Sequence, residues 1–157
     1  MLIVAVGTYG QTRQPFVSSK PFVVRSKQQV ADIYRTLEKQ DGNKNQDVVA
    51  AAGNQMRVAI FHDEKRENDN FEVHDASDDI YYVLEGEATL MLGGTLTNPN
   101  EISTGEWRSK EASGSKSVKI RKGDVVIVPR GTVHQRTVSG KGFSMILIKV
   151  FAEEVKP

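Results

Sequence analysis

The sequence predicts an all-β fold, a small sandwich or barrel preceded by one helix. From Met56 onward, short runs rich in Val, Ile and aromatic residues alternate with turns that contain Gly or Pro. Only one segment, near the N-terminus, has a clear helical periodicity. Two late runs, DVVIVP and FSMILIKVF, are apolar on both strand faces, as in strands that are covered on both sides. Many short strands with a single helix are typical of sandwiches and barrels.

The composition fits one ordinary domain and excludes several classes of partner. A length of 157 residues predicts a single domain over 1–157. The 21 Lys and Arg residues balance 20 Asp and Glu residues, and no basic stripe is present, so nucleic acid is not an expected partner. No apolar run is long enough to cross a bilayer, so no membrane partner is expected. The absence of cysteine excludes disulfides, thiolate metal sites and cysteine nucleophiles.

The N-terminal stretch MLIVAVGTYGQ has two interpretations. It is a first β-strand, or it is the remnant of a trimmed signal peptide, although its apolar part is short and has no basic flank. The cellular location therefore stays open between the cytoplasm and secretion.

The helix is predicted over residues 26–40. Ser26 and Gln29 form the pattern of a capping box, and Asp41-Gly42 supplies a stop signal. Apolar side chains recur at helical spacing between these signals, at Val30, Ile33, Tyr34 and Leu37. The next stretch, GNKNQDVVAAAGNQ, has no clear assignment.

The barrel is predicted over residues 56–152. Its strand candidates are MRVAIFH, FEVH, IYYVLEG, EATLML, SVKI, DVVIVP, QRTV and FSMILIKVF. A turn is expected at Glu85-Gly86, between the third and fourth candidates.

One long polar insertion interrupts this pattern, and we predict a loop over 94–118. It contains the only Trp of the sequence, Trp107. Loops of this length are usually flexible excursions, lids or interface arms. The sequence does not choose among these roles.

Several ligand-type side chains fall into phase with one another. Glu72 and His74 share a strand face because side chains two apart point the same way. Asp79 begins the next strand, and His134 follows a Pro-x-Gly turn. Imidazole and carboxylate groups are ordinary ligands of Fe, Mn, Ni and Zn, so convergence of these residues would make a divalent transition-metal site. The alternative is a metal-free barrel in which they are hydrogen-bonded neighbours.

Two stretches resemble the two motifs of the cupins. In the first stretch, four residues separate His74 from Asp79, and six separate Asp79 from Gly86. These spacings match the second half of the first cupin motif, and YYVLEGEA also resembles cupin sequences.

The second cupin motif runs Gly, five residues, Pro-x-Gly, two residues, His, three residues, Asn. Gly123, Pro129, Gly131 and His134 fall at these spacings. Both motifs in this order identify the chain as similar to a small single-domain cupin, a jelly-roll β-barrel with one N-terminal α-helix.

The resemblance implies a metal held by Glu72, His74, Asp79 and His134. Three positions depart from the family pattern. Glu72 stands where the first motif histidine belongs, Asp79 is one methylene shorter than the motif Glu, and Val138 replaces the final Asn. Glu72 and the two histidines still form a two-histidine, one-carboxylate set.

Other polar residues are candidates for roles in catalysis. Tyr81 shares the face of Asp79 and is either a proton donor in the pocket or a packed core residue. Arg136 shares the phase of His134, and an inward guanidinium needs an anion, namely Glu72, Asp79 or a substrate carboxylate. Outward placement of Arg136, with Gln135 inward, is the alternative. Glu72, where it is not a ligand, is the natural general base.

His62 shares a strand face with Met56, Val58 and Ile60, so it is placed at the barrel mouth if those three residues face inward. An isolated histidine of this kind is more often structural than part of a site.

Two classes of function fit these residues. The first is a cupin metalloenzyme with isomerase, lyase or dioxygenase chemistry on a small oxygenated substrate. The second is a non-catalytic module that binds a small ligand, and a metal-free acid–base cupin is a further alternative. We also expect a homodimer, formed by pairing LIVAV or PFVV with a second subunit, because free sheet edges favour association.

Overall fold

The computed structural model describes residues 14–156. One helix, α1, and twelve strands follow one another in this part of the chain. The predicted strand at Leu2 to Val6 lies outside the described residues. The elements are α1 (Lys27–Glu38), β1 (Lys44–Val49), β2 (Met56–Asp63), β3 (Phe71–His74), β4 (Ser77–Leu92), β5 (Thr95–Thr97), β6 (Asn100–Ser103), β7 (Glu106–Ser109), β8 (Glu111–Ser113), β9 (Lys116–Arg121), β10 (Val125–Val128), β11 (His134–Thr137) and β12 (Phe143–Phe151).

The strands form two antiparallel sheets that share β4. The N-terminal half of β4 pairs with β12 and β10, and the order of that sheet is β1-β2-β12-β4-β10. The C-terminal half of β4 pairs with β9 and β11, which gives the order β9-β4-β11-β3-β7-β6. The strands β5 and β8 form a separate two-stranded sheet. The all-β fold with one N-terminal helix is therefore confirmed.

The expected turn at Glu85-Gly86 is wrong, because β4 runs continuously through it. The pairing with β12 shifts register between Ser144 and Met145, opposite this point of β4. Gly86 has φ +76°. A side chain at this position would collide with the carbonyl oxygen of Gly142, the residue that precedes β12. A bulge of this kind bends a strand without ending it, and here it lets β4 pass from one sheet to the other.

Side chains from both sheets form one hydrophobic core. The fully buried members include Leu90 on β4 and both Phe143 and Met145 on β12. Two other strands that pair with β4 also contribute to the core, β10 through Val128 and β9 through Ile120. Tyr81 and Leu147 belong to this core and also line the polar pocket described below.

The predicted loop over 94–118 is also wrong. It contains β5, β6, β7 and β8 and the start of β9. β7 extends the second sheet by pairing with β3, and β6 pairs with β7. These strands lie at the margin of the sheet, where backbone pairing and cross-strand polar pairs can hold a strand that buries little apolar surface. The polar composition therefore concealed them.

Helix α1 begins at the predicted capping box. The Ser26 side chain accepts from the backbone N–H of Gln29, and the Gln29 side chain accepts from the N–H of Ser26. Leu37 is its buried residue, and the helix packs on β2 and β1. The stretch left unassigned contains β1, which pairs with β2. Within residues 14–156, no helix combines the length and apolarity that a bilayer crossing requires.

Candidate metal centre

Two neighbouring strands bring Glu72, His74 and His134 together. β3 carries Glu72 and His74 on one face, and antiparallel pairing with β11 sets His134 directly opposite Glu72. The imidazole rings of His74 and His134 lie 5.0 Å apart between centroids. One ligand atom from each of the three residues lies within 4.8 Å of the other two. The arrangement is a two-histidine, one-carboxylate group that could hold a metal ion.

Both imidazoles are oriented from the side away from this group. Nδ1 of His74 lies 2.7 Å from Oε2 of Glu106, on β7. Nδ1 of His134 lies 3.0 Å from the carbonyl oxygen of Thr132. Both partners are acceptors, so each Nδ1 donates its proton and each Nε2 keeps its lone pair. Carboxylates and backbone carbonyls are the usual outer partners of metal-binding histidines.

The surroundings of the two histidines also fit a metal. Nε2 of His74 is buried and has no hydrogen-bond partner within the described residues. Burial lowers the pKa of His134, although its bond to the Thr132 carbonyl acts in the opposite direction. A pKa below 6.5 leaves His134 neutral at pH 7, which is the form that coordinates a metal. These residues therefore fit a divalent ion.

Glu72 is held by an arginine from the neighbouring strand. Arg108 lies opposite Glu72 in the β3–β7 pair, and its Nη2 is 3.4 Å from Oε2 of Glu72. The same Nη2 is also 3.4 Å from Oε2 of Glu106. One guanidinium thus divides its charge between two carboxylates, and the Glu72 side chain stays about one-third exposed.

Asp79 reaches the histidines from another side. Its Oδ2 lies 3.6 Å from Nε2 of His74 and 3.8 Å from Nε2 of His134. Its Oδ1 lies 2.7 Å from Nζ of Lys149, on β12. Burial alone would raise the pKa of Asp79, but the contacts with His74 and Lys149 lower it to about 2. Asp79 is therefore a buried, ionised carboxylate near neutral pH.

Tyr81 lies two residues further along β4 on the same face. Its hydroxyl donates to Oδ2 of Asp79 at 3.4 Å, which is a long hydrogen bond. Burial, followed by the negative charge of Asp79, raises the pKa of Tyr81 well above its ordinary value. The phenol is therefore protonated at every ordinary pH.

Arg136 points inward, and its protein partner is neither Glu72 nor Asp79. Its Nε donates to Oδ2 of Asp63 at 2.8 Å, and both side chains are buried. The guanidinium also lies 5.9 Å from the ring centroids of Phe61, Tyr81 and Phe143. Its anion is therefore supplied by β2, not by Glu72 or Asp79.

His62 lies on the opposite face of β2 from this centre, so the conditional placement at the barrel mouth is wrong. Its Nδ1 is 2.9 Å from Oγ of Ser144, and its ring abuts Gly142. It shares a small surface depression with Tyr34 and Glu38 of α1. The residues of β2 that reach the pocket are instead Arg57 and Phe61.

The centre opens into a pocket of about 220 Å³. Phe61 and Leu147 are apolar, and most other side chains around it are charged or polar. The lining residues are Arg57, Phe61, Arg66, Asp69, Asn70, Glu72, His74, Asp79, Tyr81, Glu106, Arg108, His134, Gln135, Arg136, Leu147 and Lys149.

Sequence reasoning missed three residues that contact the proposed ligands or Asp79, namely Glu106, Arg108 and Lys149. Glu106 and Arg108 stood in the segment interpreted as a loop, where the pattern Glu-x-Arg gave their shared phase. Lys149 is the one charged residue of the apolar run FSMILIKVF. A lone charge within a buried strand needs a partner, and this was the signal that could have identified it.

Val138, which replaces the motif Asn, is fully buried in the core. Its backbone pairs with Arg66 through two hydrogen bonds of 2.9 Å. This departure from the cupin pattern places a packing residue, not a polar one, after the second motif.

No family model matches the chain, and no curated protein is similar enough to match it. Solved structures do share its fold. BH2720 from Bacillus halodurans has a TM-score of 0.56 and 15% identity over 88% of this chain and 86% of its own. The DMSP lyase DddQ from Ruegeria pomeroyi DSS-3 has a TM-score of 0.52 and 17% identity over 73% of this chain.

The cupin domain of Cnp3 from Schizosaccharomyces pombe has a TM-score of 0.51 and 11% identity over 69% of this chain and 61% of its own. This chain spans only 50% of the lyase. At these identities the likeness concerns the fold alone.

Proposed function

From the premise that the chain has the cupin fold, we propose that it is a metal-dependent enzyme acting on a small oxygenated substrate. Glu72, His74 and His134 hold one divalent ion in this proposal. The observation that carries it is the pair of buried imidazoles, whose Nδ1 atoms are both engaged and whose Nε2 atoms face a common carboxylate.

The ion and the protein have separate tasks. A bound Fe, Mn, Ni or Zn ion would polarise an oxygen of the substrate and stabilise negative charge that develops there. Glu106 and the Thr132 carbonyl hold the imidazoles in the tautomer that leaves Nε2 free. Arg108 balances the charge of Glu72 when no ion is coordinated by its carboxylate.

Asp79 and Tyr81 supply the proton chemistry. Asp79 is ionised and lies close to both histidines, so it is the carboxylate placed to accept a proton from a bound substrate, although its pKa of about 2 makes it a weak base. Tyr81 stays protonated and donates toward the same carboxylate, which suits a residue that orients it or returns a proton. A base beside a metal favours isomerase or lyase chemistry, and dioxygenase chemistry uses the same ligand set.

The pocket limits the substrate to a small polar molecule. Its volume of about 220 Å³ lies below the ~300–1,000 Å³ that is usual for drug-sized ligands. Arg136 lines it beside the centre, so an oxygen-rich or carboxylate substrate finds a cationic wall there. The arginine is already paired with Asp63, and it would therefore orient a substrate more than attract one.

A second candidate is a metal-free protein that binds a small ligand or performs acid–base chemistry. Its support is that both carboxylates near the histidines already have cationic partners, Arg108 for Glu72 and Lys149 for Asp79. In that case Glu72 acts as the general base and no open coordination position exists.

Metal analysis of the purified protein separates the two candidates. The protein is produced in medium supplied with Fe, Mn, Ni and Zn, and the metal content per chain is measured for the wild type, for His74→Ala and for His62→Ala. We expect one ion per chain in the wild type and in His62→Ala, because His62 is equally buried but faces away from the pocket. His74→Ala should lose the ion. Metal-free wild type would support the second candidate.

Turnover is tested with the loaded protein. A panel of small hydroxy and keto acids is followed by proton NMR for loss or exchange of a carbon-bound hydrogen. Tyr81→Phe should retain the metal and lose turnover, because it removes only the hydroxyl that contacts Asp79. Metal binding without turnover of any oxygenated compound would favour the binding module.

We also propose that the protein is a homodimer. Phe22, in the PFVV segment, is 93% exposed, and Val125 and Ile127 of β10 are exposed as well. Apolar side chains grouped on a surface mark contacts with other chains. A monomeric mass by light scattering at micromolar concentration would contradict this proposal, and Ile127→Lys should lower the mass of a dimer.

A further inference from the structure

We infer that Arg136 anchors a carboxylate of the substrate, so that the substrate is a small carboxylic acid with a second oxygen group for the ion. This assignment deepens the proposed function and rests on it for the second oxygen group. The carboxylate anchor depends on protein contacts alone, and it can therefore be tested in the metal-free protein as well.

The guanidinium of Arg136 is buried, but it uses few of its donors. The side chain is 10% exposed, and its Nε donates to Oδ2 of Asp63 at 2.8 Å. Among residues 14–156, this is the one hydrogen bond that the Arg136 side chain forms. A guanidinium carries five N–H donors, so the four on Nη1 and Nη2 have no acceptor in that part of the chain. Buried donors ordinarily have an acceptor, and a ligand in the pocket that Arg136 lines can supply it.

The positive charge of Arg136 is incompletely balanced by its neighbours. Asp63 also accepts from Nη1 of Arg66 at 3.1 Å, so one carboxylate serves two guanidinium groups. Arg66 has a second carboxylate partner in Asp69, whereas Arg136 has no second one among the described residues. An anion in the pocket would therefore complete the balance at Arg136.

Aromatic side chains surround the guanidinium. Its Cζ lies 5.9 Å from the ring centroids of Phe61, Tyr81 and Phe143. Rings at this distance attract a cation, but they offer no strong acceptor to its N–H groups. A charge-assisted hydrogen bond is also stronger in apolar surroundings than in water. Arg136 is thus held in place with donors available for a ligand.

The shape and charge of this site favour a carboxylate. Arginine presents a planar fork, which a carboxylate matches with two parallel hydrogen bonds. A hydroxyl group offers a single oxygen and no charge. A phosphate would bring a second negative charge into a pocket that is already lined by four carboxylates, those of Asp69, Glu72, Asp79 and Glu106.

The anchor lies next to the proposed metal centre. His134 and Arg136 share a face of β11, and positions two apart in a strand are separated by ~6.5 Å. A short acid bound at Arg136 can thus place a second oxygen at the ion. Tyr81 connects the two positions, since its ring lies near Arg136 and its hydroxyl donates to Asp79. The carbon atoms between the two oxygen groups would then lie beside the residues proposed for proton transfer.

Titration of isotopically labelled protein, followed by NMR, tests the anchor. Propionate is the probe, and propionamide is the uncharged probe of the same shape. Both are added to metal-free and Zn²⁺-treated samples of the wild type, Arg136→Lys and Arg66→Lys. Arg136→Lys keeps the charge beside Asp63 but loses the fork. Arg66→Lys is the matched control, because Arg66 lines the same pocket and contacts the same aspartate.

We expect the wild type to bind propionate at least about tenfold more tightly than propionamide, since only the acid supplies the missing charge. Arg136→Lys should weaken propionate binding about tenfold in both metal states and leave propionamide binding unchanged, whereas a general loss of structure would weaken both probes. Arg66→Lys should leave both affinities unchanged. In the Zn²⁺-bound wild type, malonate should bind more tightly than propionate, because its second carboxylate reaches the ion.

The wild type also allows a measurement that needs no substitution. The Nε–H signal of Arg136 should shift as propionate is added, and that of Arg66 should stay in place. This measurement tests the anchor if circular dichroism shows that Arg136→Lys does not fold.

Three results would overturn the anchor. The wild type could fail to bind propionate, or could bind propionamide as tightly. Arg66→Lys could weaken propionate binding as much as Arg136→Lys does, which would assign the effect to the contacts of Asp63 and not to the fork. Inorganic phosphate could shift the Arg136 signal at lower concentration than propionate, which would replace the carboxylate by a phosphate. A protein that binds propionate through Arg136 but no Zn²⁺ would support the anchor and contradict the proposed metal centre.

Discussion

Two buried regions of the molecule contain histidine, and they differ in what surrounds the imidazole rings. His62 lies between β2 and α1, where one ring nitrogen meets the Ser144 hydroxyl and the ring abuts a glycine. His74 and His134 lie in the pocket, where each Nδ1 meets an acceptor and each Nε2 lies within 3.8 Å of Oδ2 of Asp79. The difference teaches that burial alone does not make a histidine functional. A candidate metal ligand also needs a ring nitrogen whose lone pair is unshared and converges with those of other ligands.

The strongest test of this contrast removes one pocket histidine. His134→Ala should weaken Zn²⁺ binding by more than ~100-fold, because it deletes a ligand and leaves Glu72 and His74 as an incomplete set. His62→Ala should leave the affinity unchanged. Competition with a chromogenic chelator measures both, and equal losses in the two variants would contradict the assignment of the centre.

Glu106→Gln tests the orientation of His74 from behind. A glutamine side chain keeps the shape but loses the charge that favours donation from Nδ1, so Zn²⁺ affinity should fall ~10–100-fold. Glu101→Gln is the matched control, since Glu101 lies in the same segment and, among residues 14–156, accepts only from the Gly105 backbone. Equal effects of the two substitutions would show that segment stability, not imidazole orientation, controls binding.

The buried His62 is expected to stabilise the fold and to play no part in metal binding. His62→Ala removes a buried ring and its hydrogen bond with Ser144, so it should lower the free energy of unfolding by about 2 kcal/mol. Urea denaturation of the metal-free protein measures this. His62→Gln, which retains a polar group, should lose less, and a stability equal to the wild type would show that the His62 contact is dispensable.

The smallest expected effect concerns a carboxylate next to the site. Asp78 faces outward beside Asp79, and hydrogen bonds from the Arg130 side chain and backbone lower its pKa from 3.8 to about 2. The contribution of the Asp78–Arg130 contact to the free energy of unfolding is therefore complete above pH 3.8 and is lost as the pH falls through 2. Asp78→Asn should lower the thermal midpoint slightly at pH 7.

The difference between Asp78→Asn and the wild type should narrow between pH 4 and pH 2, as followed by circular dichroism. A difference that stays constant over this range would show that charge on Asp78 plays no part.

The strand pattern and the phase of the site could be predicted from the sequence because both follow the two-residue repeat of a strand. Glu72 and His74 had to share a face, and the second motif set the position of His134. The phase of β2 could not be predicted, because Ala59 and Ile60 are both buried and alternation gives no sign there. That ambiguity explains why Asp63 was missed as the partner of Arg136.

The remaining site residues depended on pairing between strands distant in sequence. Glu106 and Arg108 meet β3 only because the polar segment folds back as β7. Lys149 meets Asp79 only because β12 and β4 adopt one particular register. Local patterns do not encode register between distant strands, so these contacts needed the three-dimensional structure.

The place of β7 in the second sheet has a practical consequence. β7 contributes two polar side chains to the centre but lies outside the hydrophobic core around Leu90 and Phe143. The segment of β6 and β7, residues 100–109, can therefore be redesigned to change the surroundings of His74 while the hydrophobic core is left intact. The environment of a proposed metal ligand can thus be altered from a segment that contributes nothing to the hydrophobic core.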